Sequence, residues 1–248
     1  MNGVLIVTGG SRGIGAATAR LAGRRGYAVC VNYRRDREAA DAVVAAIREA
    51  GGQALAVAAD VANEADVARL FETCDRALGR PSALVNNAGI LEQQMRVETM
   101  DADRLRRVFS TNVFGSFACA REAIRRMSTK HGGPGGAIVN VSSTAARLGS
   151  AGEYVDYAAS KAALDTFTIG LAAEVAEEGI RVNAVRPGII YTEMHASGGE
   201  PGRVDRVKAS VPMKRGGTAD EVAQAILWLL SADASFTTGS FIDVSGGR

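Results

Sequence analysis

Short apolar runs alternate with longer amphipathic stretches along the whole chain. The first run, Val4 to Val7, is continuously apolar, which is typical of a parallel strand buried on both faces. The amphipathic stretches that follow are typical of helices, and glycines such as Gly79 mark where they end. Parallel strands of one sheet are joined by right-handed crossovers through such helices. The alternation therefore predicts one α/β domain over residues 1–248, built on a doubly wound parallel sheet of about seven strands.

The composition argues against several other classes of protein. The net charge of the 248-residue chain is only +2, and its lysines and arginines are scattered, so neither a nucleic-acid nor a membrane partner is indicated. No apolar run reaches the length of a membrane span, and no signal peptide is evident. Cys30, Cys74 and Cys119 are far apart and, like His131 and His195, show no metal-ligand spacing. We therefore expect a cytoplasmic protein with reduced cysteines and no metal site.

Tyr157 and Lys161 form the pair that most clearly suggests chemistry. They are four residues apart in a helix predicted over 155–177, so both side chains lie on one face. A free tyrosine has a pKa of about 10. A positive charge roughly 4 Å away stabilises phenolate by about 4 kcal/mol at an effective dielectric of about 20, which is roughly three pKa units. The spacing therefore suggests an acid/base tyrosine whose pKa Lys161 lowers, although an ordinary surface pair has the same spacing.

A glycine-rich segment, residues 8–15, directly follows the first predicted strand and opens the first helix. Glycines at such a turn let the backbone approach a pyrophosphate, which the positive end of the helix stabilises. The spacing, Gly9-x3-Gly13-x-Gly15, departs from G-x-G-x-x-G, but its place between a strand and a helix favours a dinucleotide site over a simple turn. The candidate cofactor contacts here are Gly9, Ser11, Arg12, Gly13, Ile14 and Gly15.

Four motifs occur in the order and spacing of the short-chain dehydrogenase/reductase family, which the chain resembles over essentially its whole length. They are Thr8-Gly9-x3-Gly13-x-Gly15, Asn86-Asn87-Ala88-Gly89, Tyr157-x3-Lys161 and Pro187-Gly188. The resemblance implies a Rossmann-type fold, a nicotinamide cofactor and a homotetramer. Within the family, the chain is most similar to 3-oxoacyl-[acyl-carrier-protein] reductases and to sugar dehydrogenases, and the sequence does not separate these two.

The end of the second predicted strand bears on the choice of nicotinamide cofactor. Sites that prefer NAD place an acidic residue there to bond the ribose 2′-hydroxyl. Here the strand ends in Asn32, Tyr33 and Arg34, and no carboxylate occurs before Asp36. The guanidinium fork of Arg34 suits a 2′-phosphate, and Arg12 matches the basic residue of NADP-preferring family members. We therefore favour NADP(H), and Asp36 keeps NAD(H) as the alternative.

The resemblance also implies roles for residues at the carboxyl ends of later strands, where a doubly wound sheet binds its ligand. Asp60 and Val61 resemble the pair that contacts adenine. The adenosine–ribose side is lined by Asn86, Ala88 and Gly89, which also brace the sheet. After the sixth strand, the residues that by resemblance hold the nicotinamide end are Pro187, Gly188, Ile190 and Thr192.

The catalytic set implied by the resemblance is Asn112, Ser143, Tyr157 and Lys161. Ser143 follows the fifth strand and orients the carbonyl, and its distance from Tyr157 leaves Thr144 as an alternative. Lys161 also bonds the nicotinamide ribose, and Asn112 holds a water beside it. The set predicts an NADP(H)-dependent oxidoreductase that reduces a ketone to a secondary alcohol or catalyses the reverse. The competing class is a sensor that binds NADP(H) without chemistry, whose members commonly lack part of the tyrosine–lysine pair.

Three further expectations concern the substrate and partners. Residues 193–217 lack a clear period and contain clustered glycines and prolines, which is more typical of a substrate lid than of a connection. Helices predicted over 101–127 and 155–177 match those that pair between subunits in the family. An acyl carrier protein would need a basic patch, and the candidates for one, which also fit a solvated face, are Arg121, Arg125 and Arg126.

Overall fold

The computed structural model describes residues 3–248. Its strands are β1 (Val4–Val7), β2 (Ala28–Tyr33), β3 (Ala54–Ala58), β4 (Ala83–Asn86), β5 (Gly136–Val141), β6 (Ile180–Pro187) and β7 (Phe241–Val244). They form one seven-stranded sheet in the order β3-β2-β1-β4-β5-β6-β7, and every neighbouring pair is parallel. The prediction of a single α/β domain with a Rossmann-type, doubly wound sheet is confirmed.

Helices cover both faces of the sheet. They are α1 (Gly13–Arg24), α2 (Arg37–Glu49), α3 (Glu64–Leu78), α4 (Ala102–Phe109), α5 (Gly115–Met127), α6 (Ala145–Leu148), α7 (Val155–Val175), α8 (Met194–Ser197), α9 (Arg203–Val207) and α10 (Ala219–Leu230). Side chains of α1, α2 and α10 pack in one hydrophobic cluster, and those of α3, α5 and α7 pack in another. The sheet therefore lies between two apolar layers.

The first strand shows why continuous apolar runs are needed in such a sheet. Leu5 and Val7 belong to one cluster, whereas Val4 and Ile6 belong to the other. Because successive side chains of a strand point to opposite faces, both sets must be apolar when both faces are covered. Full burial of each such side chain contributes about 1.5–3 kcal/mol to the free energy of folding.

The order of the strands places the ligand edge of the sheet. β1 lies between β2 and β4, so the chain builds outward in one direction to β3 and then in the other direction to β7. In doubly wound sheets, ligands bind at the carboxyl ends of the strands where this reversal occurs. The loops that follow β1, β2 and β4 therefore surround the expected site.

The helix predicted over 101–127 is interrupted in the structure. It begins at Ala102, with the carboxylate of Asp101 accepting a hydrogen bond from the backbone N–H of Arg104 at 2.6 Å. Between α4 and α5, Ser110–Phe114 form a π-helix, which the sequence pattern did not predict. Such π-bulges occur frequently at functional sites. The second long helix ends at Val175, two residues before the predicted end at residue 177. A short 3-10 turn follows it.

The segment 193–217 is less irregular than its sequence suggests. It contains α8 and α9, followed by a 3-10 turn at Lys208–Ser210. These helices are only one or two turns long, so they leave little periodic signal in the sequence. A capping box follows this segment, where Thr218 and Glu221 exchange side-chain and backbone hydrogen bonds at the start of α10.

Other expectations concern cysteines, metals and membranes. Cys30, Cys74 and Cys119 are all buried and free. Within residues 3–248, no cluster of side chains has the makeup of a metal site. Across the same residues, no helix combines the length and apolar character needed to cross a membrane. The cytoplasmic location stays a prediction.

Candidate active site

The glycine-rich loop after β1 is shaped by its neighbours. Gly9 and Gly13 have φ angles of 59° and 52°, a region that L side chains rarely adopt. A Cβ atom at Gly9 would lie 3.0 Å from the Cα of Ala88, and one at Gly15 would clash with the carbonyl oxygen of Gly9. The side chain of Asn87 donates to the carbonyl of Gly9 at 3.0 Å and so braces the loop against the end of β4. These positions therefore admit only glycine without strain.

The loop fits a pyrophosphate. α1 begins at Gly13, and its N-cap residue, Arg12, makes no side-chain capping hydrogen bond. The first backbone N–H groups of a helix have no partner within the helix, so here they are available to an anion. An anion at this point would also be stabilised by the positive end of the helix dipole. The residues present therefore fit the diphosphate of a dinucleotide.

A cleft of about 440 Å³ opens at this edge of the sheet. It runs from the glycine loop past the ends of β2 and β3 to the loop after β4 and the start of the 193–217 segment. The predicted cofactor residues that line it are Gly9, Ser11, Arg12, Gly13, Ile14, Asn32, Tyr33, Arg34, Asp60, Val61, Ala88, Gly89 and Thr192. The cleft is also lined by residues that were not predicted to contact the cofactor, among them Asn87, Ile90, Leu91, Thr111, Met194 and Ser197.

Several residues predicted to contact the cofactor do not line the cleft. Asn86 is 2% exposed, and its amide donates to the Asn140 side chain at 3.0 Å, so it braces β4 against β5. Ile190 is 4% exposed and pairs with Gly217 in an isolated bridge. Gly188 packs closely against Ser245. Gly15, Pro187, Lys161 and Tyr157 do not line the cleft either.

The corner of the cleft beyond β2 carries charges of both signs. It is lined by Arg12, Arg34 and Arg35 and by the carboxylates of Asp36 and Asp60. Arg34 is partly exposed and lies 3.6 Å from the carboxylate of Asp60. Asp36, the acidic residue that kept NAD(H) as an alternative, caps α2 by accepting a hydrogen bond from the N–H of Ala39 at 3.0 Å. Its carboxylate is therefore already engaged in the structure.

The catalytic candidates lie on β5 and α7. Ser143 follows β5, and its hydroxyl accepts a hydrogen bond from the N–H of Ala145 at 3.1 Å. Tyr157 stands in the first turn of α7, and Lys161 follows one turn later. The ammonium of Lys161 lies 5.6 Å from the centre of the Tyr157 ring and donates to the carbonyl of Val141 at 2.7 Å. The structure thus brings the predicted serine, tyrosine and lysine to one end of the sheet.

Ser142 and Thr144 stand on either side of Ser143. The hydroxyl of Ser142 donates to the carbonyl of Lys161 at 3.1 Å, which ties β5 to α7. Thr144 is buried, with its backbone N–H bonded to the carbonyl of Pro187 at 3.0 Å. Ser143 is the most exposed of the three and remains the candidate for substrate contact.

Asn112 joins three parts of the site. It lies in the π-helix, fully buried, and its amide donates to the carbonyl of Ile90 at 3.1 Å and to the hydroxyl of Ser160 at 3.0 Å. Its side-chain oxygen accepts from the N–H of Ile90 at 2.8 Å. A Cβ atom at Gly89 would lie 3.5 Å from both this oxygen and the Lys161 ammonium. Asn112 therefore stands close to Lys161, separated from it by the backbone of the loop after β4.

The pKa values of the pair differ from the sequence-based expectation. Burial raises the pKa of Tyr157 to about 12, and the hydroxyl of Ser143 acts in the opposite direction. Burial lowers the pKa of Lys161 to about 8, with Asp165 opposing the change. The expectation that Lys161 lowers the tyrosine pKa was therefore wrong for the protein without ligands. The physical reason is that burial removes both side chains from water, which disfavours each charged form and is the largest cause of both shifts.

The 193–217 segment is tied to the residues that precede α7. Arg203, which is 8% exposed, bonds both carboxylate oxygens of Glu153 at 3.0 and 2.5 Å and also bonds Glu200 at 3.2 Å. The hydroxyl of Tyr154 donates to the carbonyl of Gly198 at 3.2 Å. The segment therefore lies closed against the start of the helix that carries Tyr157.

The histidines take no part in the catalytic group. His195 donates from Nε2 to the carbonyl of Ile190 at 3.0 Å, and burial lowers its pKa. Its buried Nδ1 has no hydrogen-bond partner among residues 3–248. His131 is exposed in a 3-10 turn, Thr129–His131, that precedes β5, whereas Ser143 follows the other end of that strand.

A larger cavity, of about 670 Å³, lies at the opposite edge of the sheet. It is lined by residues at the starts of β4, β5 and β6, including Ala83, Gly136 and Ile180. Arg181 also lines it, and its guanidinium bonds the carbonyl groups at the end of α10, including that of Leu229 at 2.7 Å. This cavity contains none of the predicted site residues and belongs to the packing of the amino edge.

The fold and the site together define an NAD(P)-dependent oxidoreductase of the Rossmann type. A family model described as enoyl-(acyl carrier protein) reductase matches residues 9–248. The chain is 62% identical to "Uncharacterized oxidoreductase YgfF" of Escherichia coli (strain K12), covering 99% of both chains. It is 41% identical to the 3-oxoacyl-[acyl-carrier-protein] reductase of Bos taurus, covering 100% of this chain and 98% of that protein.

A solved structure shows the same architecture. A double mutant of a short-chain dehydrogenase/reductase from Serratia marcescens superposes with a TM-score of 0.90 at 34% identity, covering 98% of this chain and 96% of that one. The chain belongs to the short-chain dehydrogenase/reductase family.

Proposed function

We propose that the protein is an NADP(H)-dependent oxidoreductase that interconverts a ketone and a secondary alcohol. The observation that carries this proposal is the placement of Ser143, Tyr157 and Lys161 at one end of the sheet. Ser143 follows β5, and the other two lie in the first turns of α7, beside the dinucleotide cleft. A hydrogen-bond donor and a proton donor close to a cofactor site are what carbonyl reduction requires.

Each residue has a distinct task in the reductive direction. A bound nicotinamide supplies the hydride to the carbonyl carbon. Ser143 donates a hydrogen bond to the carbonyl oxygen and orients it, and Tyr157 transfers its phenolic proton to that oxygen as negative charge develops there. A tyrosine whose pKa is raised to about 12 is protonated at neutral pH, so it is ready to act as the acid.

Lys161 then takes part in restoring the proton. With its pKa lowered to about 8, it exchanges protons closer to neutral pH than Tyr157 does. Asn112, held by Ile90 and Ser160, keeps the loop after β4 in place beside the lysine. We propose that a water near Asn112 links Lys161 to bulk solvent. When cofactor is bound, Lys161 also bonds the ribose and so fixes the nicotinamide end.

NADP(H) is the proposed cofactor. Arg12 and Arg34 line the corner of the cleft beyond β2, where a 2′-phosphate would lie. The carboxylate of Asp36 also lines this corner, and one of its oxygens accepts the helix-capping bond from Ala39, so NAD(H) stays the alternative. A charge-assisted hydrogen bond from an arginine to phosphate contributes about 1.5–3 kcal/mol.

The proposed substrate is a short 3-oxoacyl thioester, by analogy with the relatives named for that activity. The predicted basic patch for an acyl carrier protein receives less support. Its arginines are paired with acids: Arg121 with Glu64, Arg125 with Glu122, and Arg126 with both Asp75 and Glu122. In one chain, this end of α5 leads into the start of β5 and so lies at the edge opposite the cleft. A sugar or another ketone is the alternative substrate.

A homotetramer is the proposed assembly. Phe114 and Phe117 are 64% and 48% exposed at the start of the α5 region, and Ile169 on α7 is 56% exposed. The rings of Phe117 and Phe167 stack with their centres 3.8 Å apart, so the two helices share one apolar face. Exposed apolar surface of this kind marks protein contacts. We propose that the face packs against its counterpart in a second copy.

The test follows consumption of NADPH and of NADH with a short 3-oxoacyl thioester. Tyr157→Phe removes the proposed acid and keeps the ring, so we expect the rate to fall by about 10²- to 10⁴-fold with NADPH affinity unchanged. Tyr27→Phe, the same change at the opposite edge of the sheet, is the matched control. Turnover of Tyr157→Phe within tenfold of the wild type would refute the assignment. Binding of NADPH without turnover of thioesters, sugars or other ketones would favour a sensor.

A further inference from the structure

Arg104 and Asp156 form a buried ion pair immediately before Tyr157. Their side chains are 4% and 1% exposed, and two hydrogen bonds join them, Nε to Oδ2 at 2.7 Å and Nη2 to Oδ1 at 3.3 Å. Burying two charges is costly unless the geometry satisfies both. Here the guanidinium fork meets the carboxylate in the bidentate arrangement, which fixes orientation as well as distance.

The same guanidinium also holds the loop after β4. Nη1 of Arg104 donates to the carbonyl of Gln93 at 2.6 Å. Residues of this loop, Ile90 and Leu91, line the cleft. One side chain on α4 therefore joins the wall of the cleft to the first turn of α7. This relationship involves residues 52 positions apart in the chain.

The start of α7 is also restrained by other contacts, since Arg203 bonds the Glu153 carboxylate and the backbone N–H of Met95 donates to the Glu153 carbonyl at 3.0 Å. The N-cap residue of α7, Tyr154, makes no side-chain capping hydrogen bond. The phenol of Tyr154 instead reaches the 193–217 segment at Gly198. The acidic residue of the first turn, Asp156, is engaged by Arg104 rather than by the helix end. Of these contacts, the Arg104–Asp156 pair holds the residue directly next to Tyr157, inside the first turn itself.

A neighbouring pair provides the comparison. Arg107, on the same helix, bonds Glu92 of the same loop at 2.7 Å, but its side chain is 53% exposed and the pair does not reach α7. Exposed pairs contribute little to stability. The exposed Arg107–Glu92 pair already joins α4 to the loop. The buried Arg104–Asp156 pair differs because it also reaches α7.

We propose that Arg104 is a positioning residue that, through Asp156, sets the orientation of Tyr157 relative to the cleft wall. The proposal rests on the function proposed above and adds a residue that does not itself contact substrate or cofactor. Misplacement of a reacting group by about 1 Å lowers a rate by about 10²-fold. The expected defect is therefore in kcat rather than in binding.

The first variants are Arg104→Lys and Asp156→Asn. Lysine keeps the charge but cannot bond Asp156 and Gln93 together as the fork does. For Arg104→Lys we expect kcat with NADPH and a ketone to fall roughly 10- to 100-fold, while KM and the NADPH dissociation constant change less than about threefold. Arg107→Lys is the matched control and should leave all three constants unchanged. Equal kcat values for Arg104→Lys and the wild type would overturn the proposal.

A double-mutant cycle separates positioning from general damage. Because the two side chains act as one unit, Arg104→Lys with Asp156→Asn should lower kcat no more than either single change. Losses that multiply in the double variant would show that the residues act separately and would overturn the proposal. Asp156→Asn keeps the shape of the side chain but leaves the buried charge of Arg104 uncompensated, so the unfolding free energy of each variant is measured beside its kcat.

A second readout needs no substrate. Hydrogen exchange of the protein without ligands should be faster in residues 153–160 for Arg104→Lys than for the wild type or Arg107→Lys. Unchanged exchange in this segment would refute the positioning role even if no ketone were turned over. If Tyr157→Phe retained turnover while exchange behaved as expected, the proposed function would fail and the structural link would stand.

Discussion

Lys161 donates a hydrogen bond from its ammonium to the backbone carbonyl of Val141 at 2.7 Å. This bond anchors the amine of the tyrosine–lysine pair to the last residue of β5, two positions before Ser143. The amine is 2% exposed, so it is held in a desolvated place by the sheet itself. Desolvation is the cause of its lowered pKa, and that has a measurable consequence for stability.

The stability of the protein without ligands should depend on pH through Lys161. Its pKa falls from the ordinary 10.5 to about 8 on folding, so between these values the unfolded chain binds more protons and stability rises with pH. Relative to Lys161→Met, the wild type should gain about 3 kcal/mol of unfolding free energy between pH 8 and 10.5. Denaturant titrations at several pH values measure this free energy. The control is Lys214→Met, at an exposed lysine. The prediction would be contradicted if the unfolding free energies of Lys161→Met and the wild type changed with pH in the same way.

Cofactor choice should change when Arg34 is removed. Loss of a charge-assisted bond worth about 1.5–3 kcal/mol should raise KM for NADPH roughly 10- to 100-fold in Arg34→Leu, with KM for NADH nearly unchanged. Steady-state kinetics with both cofactors measure the ratio. Arg37→Leu is the matched control, since Arg37 is exposed and pairs with Asp41 on α2. An equal rise in KM for NADPH and for NADH would show that Arg34 does not select the 2′-phosphate.

The 193–217 segment should open when Arg203 is removed. Its two bonds to Glu153 hold the segment against the start of α7, and charged hydrogen bonds each contribute about 1.5–3 kcal/mol. Arg203→Ala should raise KM for the ketone about tenfold or more and speed proteolysis within the segment. Arg215→Ala removes an exposed pair with Glu221 and serves as the control. If the segment were equally resistant to protease in both variants, Arg203 would not be what holds it against α7.

Assembly should depend on the apolar face of α5 and α7. Ile169→Glu places a charge on this face, which should lower the mass measured by light scattering at micromolar concentration, because burying an unpaired charge is costly. Val97→Glu changes an apolar residue that is 60% exposed outside this face and should leave the mass unchanged. A wild-type protein of monomeric mass would refute the tetramer.

Much of the site could be predicted from the sequence because its parts are local. The glycines of the loop after β1 and the spacing of Tyr157 and Lys161 are set within a few residues, and the structure brings both to the carboxyl edge of the sheet. The role of Asn86 was harder to predict. Whether an amide after a strand faces a cleft or a neighbouring strand depends on the register of β4 and β5, which pairs Asn86 with Asn140.

The pKa values of Tyr157 and Lys161 were also hard to predict from local sequence. The four-residue spacing placed a positive charge near Tyr157, and Coulomb attraction by itself predicted a lowered pKa. Folding also buries Lys161 and half-buries Tyr157, and this desolvation reverses the direction for the tyrosine. The number of neighbours around a side chain depends on elements distant in the chain, so spacing does not reveal it.

The sequence by itself determined the parallel α/β sheet, its single domain and the residue types at the reacting centre. These follow from periodicity and from motifs, which are properties of neighbouring residues. Only the tertiary structure decided the π-helix around Asn112, the closed 193–217 segment and the Arg104–Asp156 pair. Each of these depends on side chains far apart in sequence that meet only after the sheet and its helices have packed, because contacts between elements follow from the whole fold.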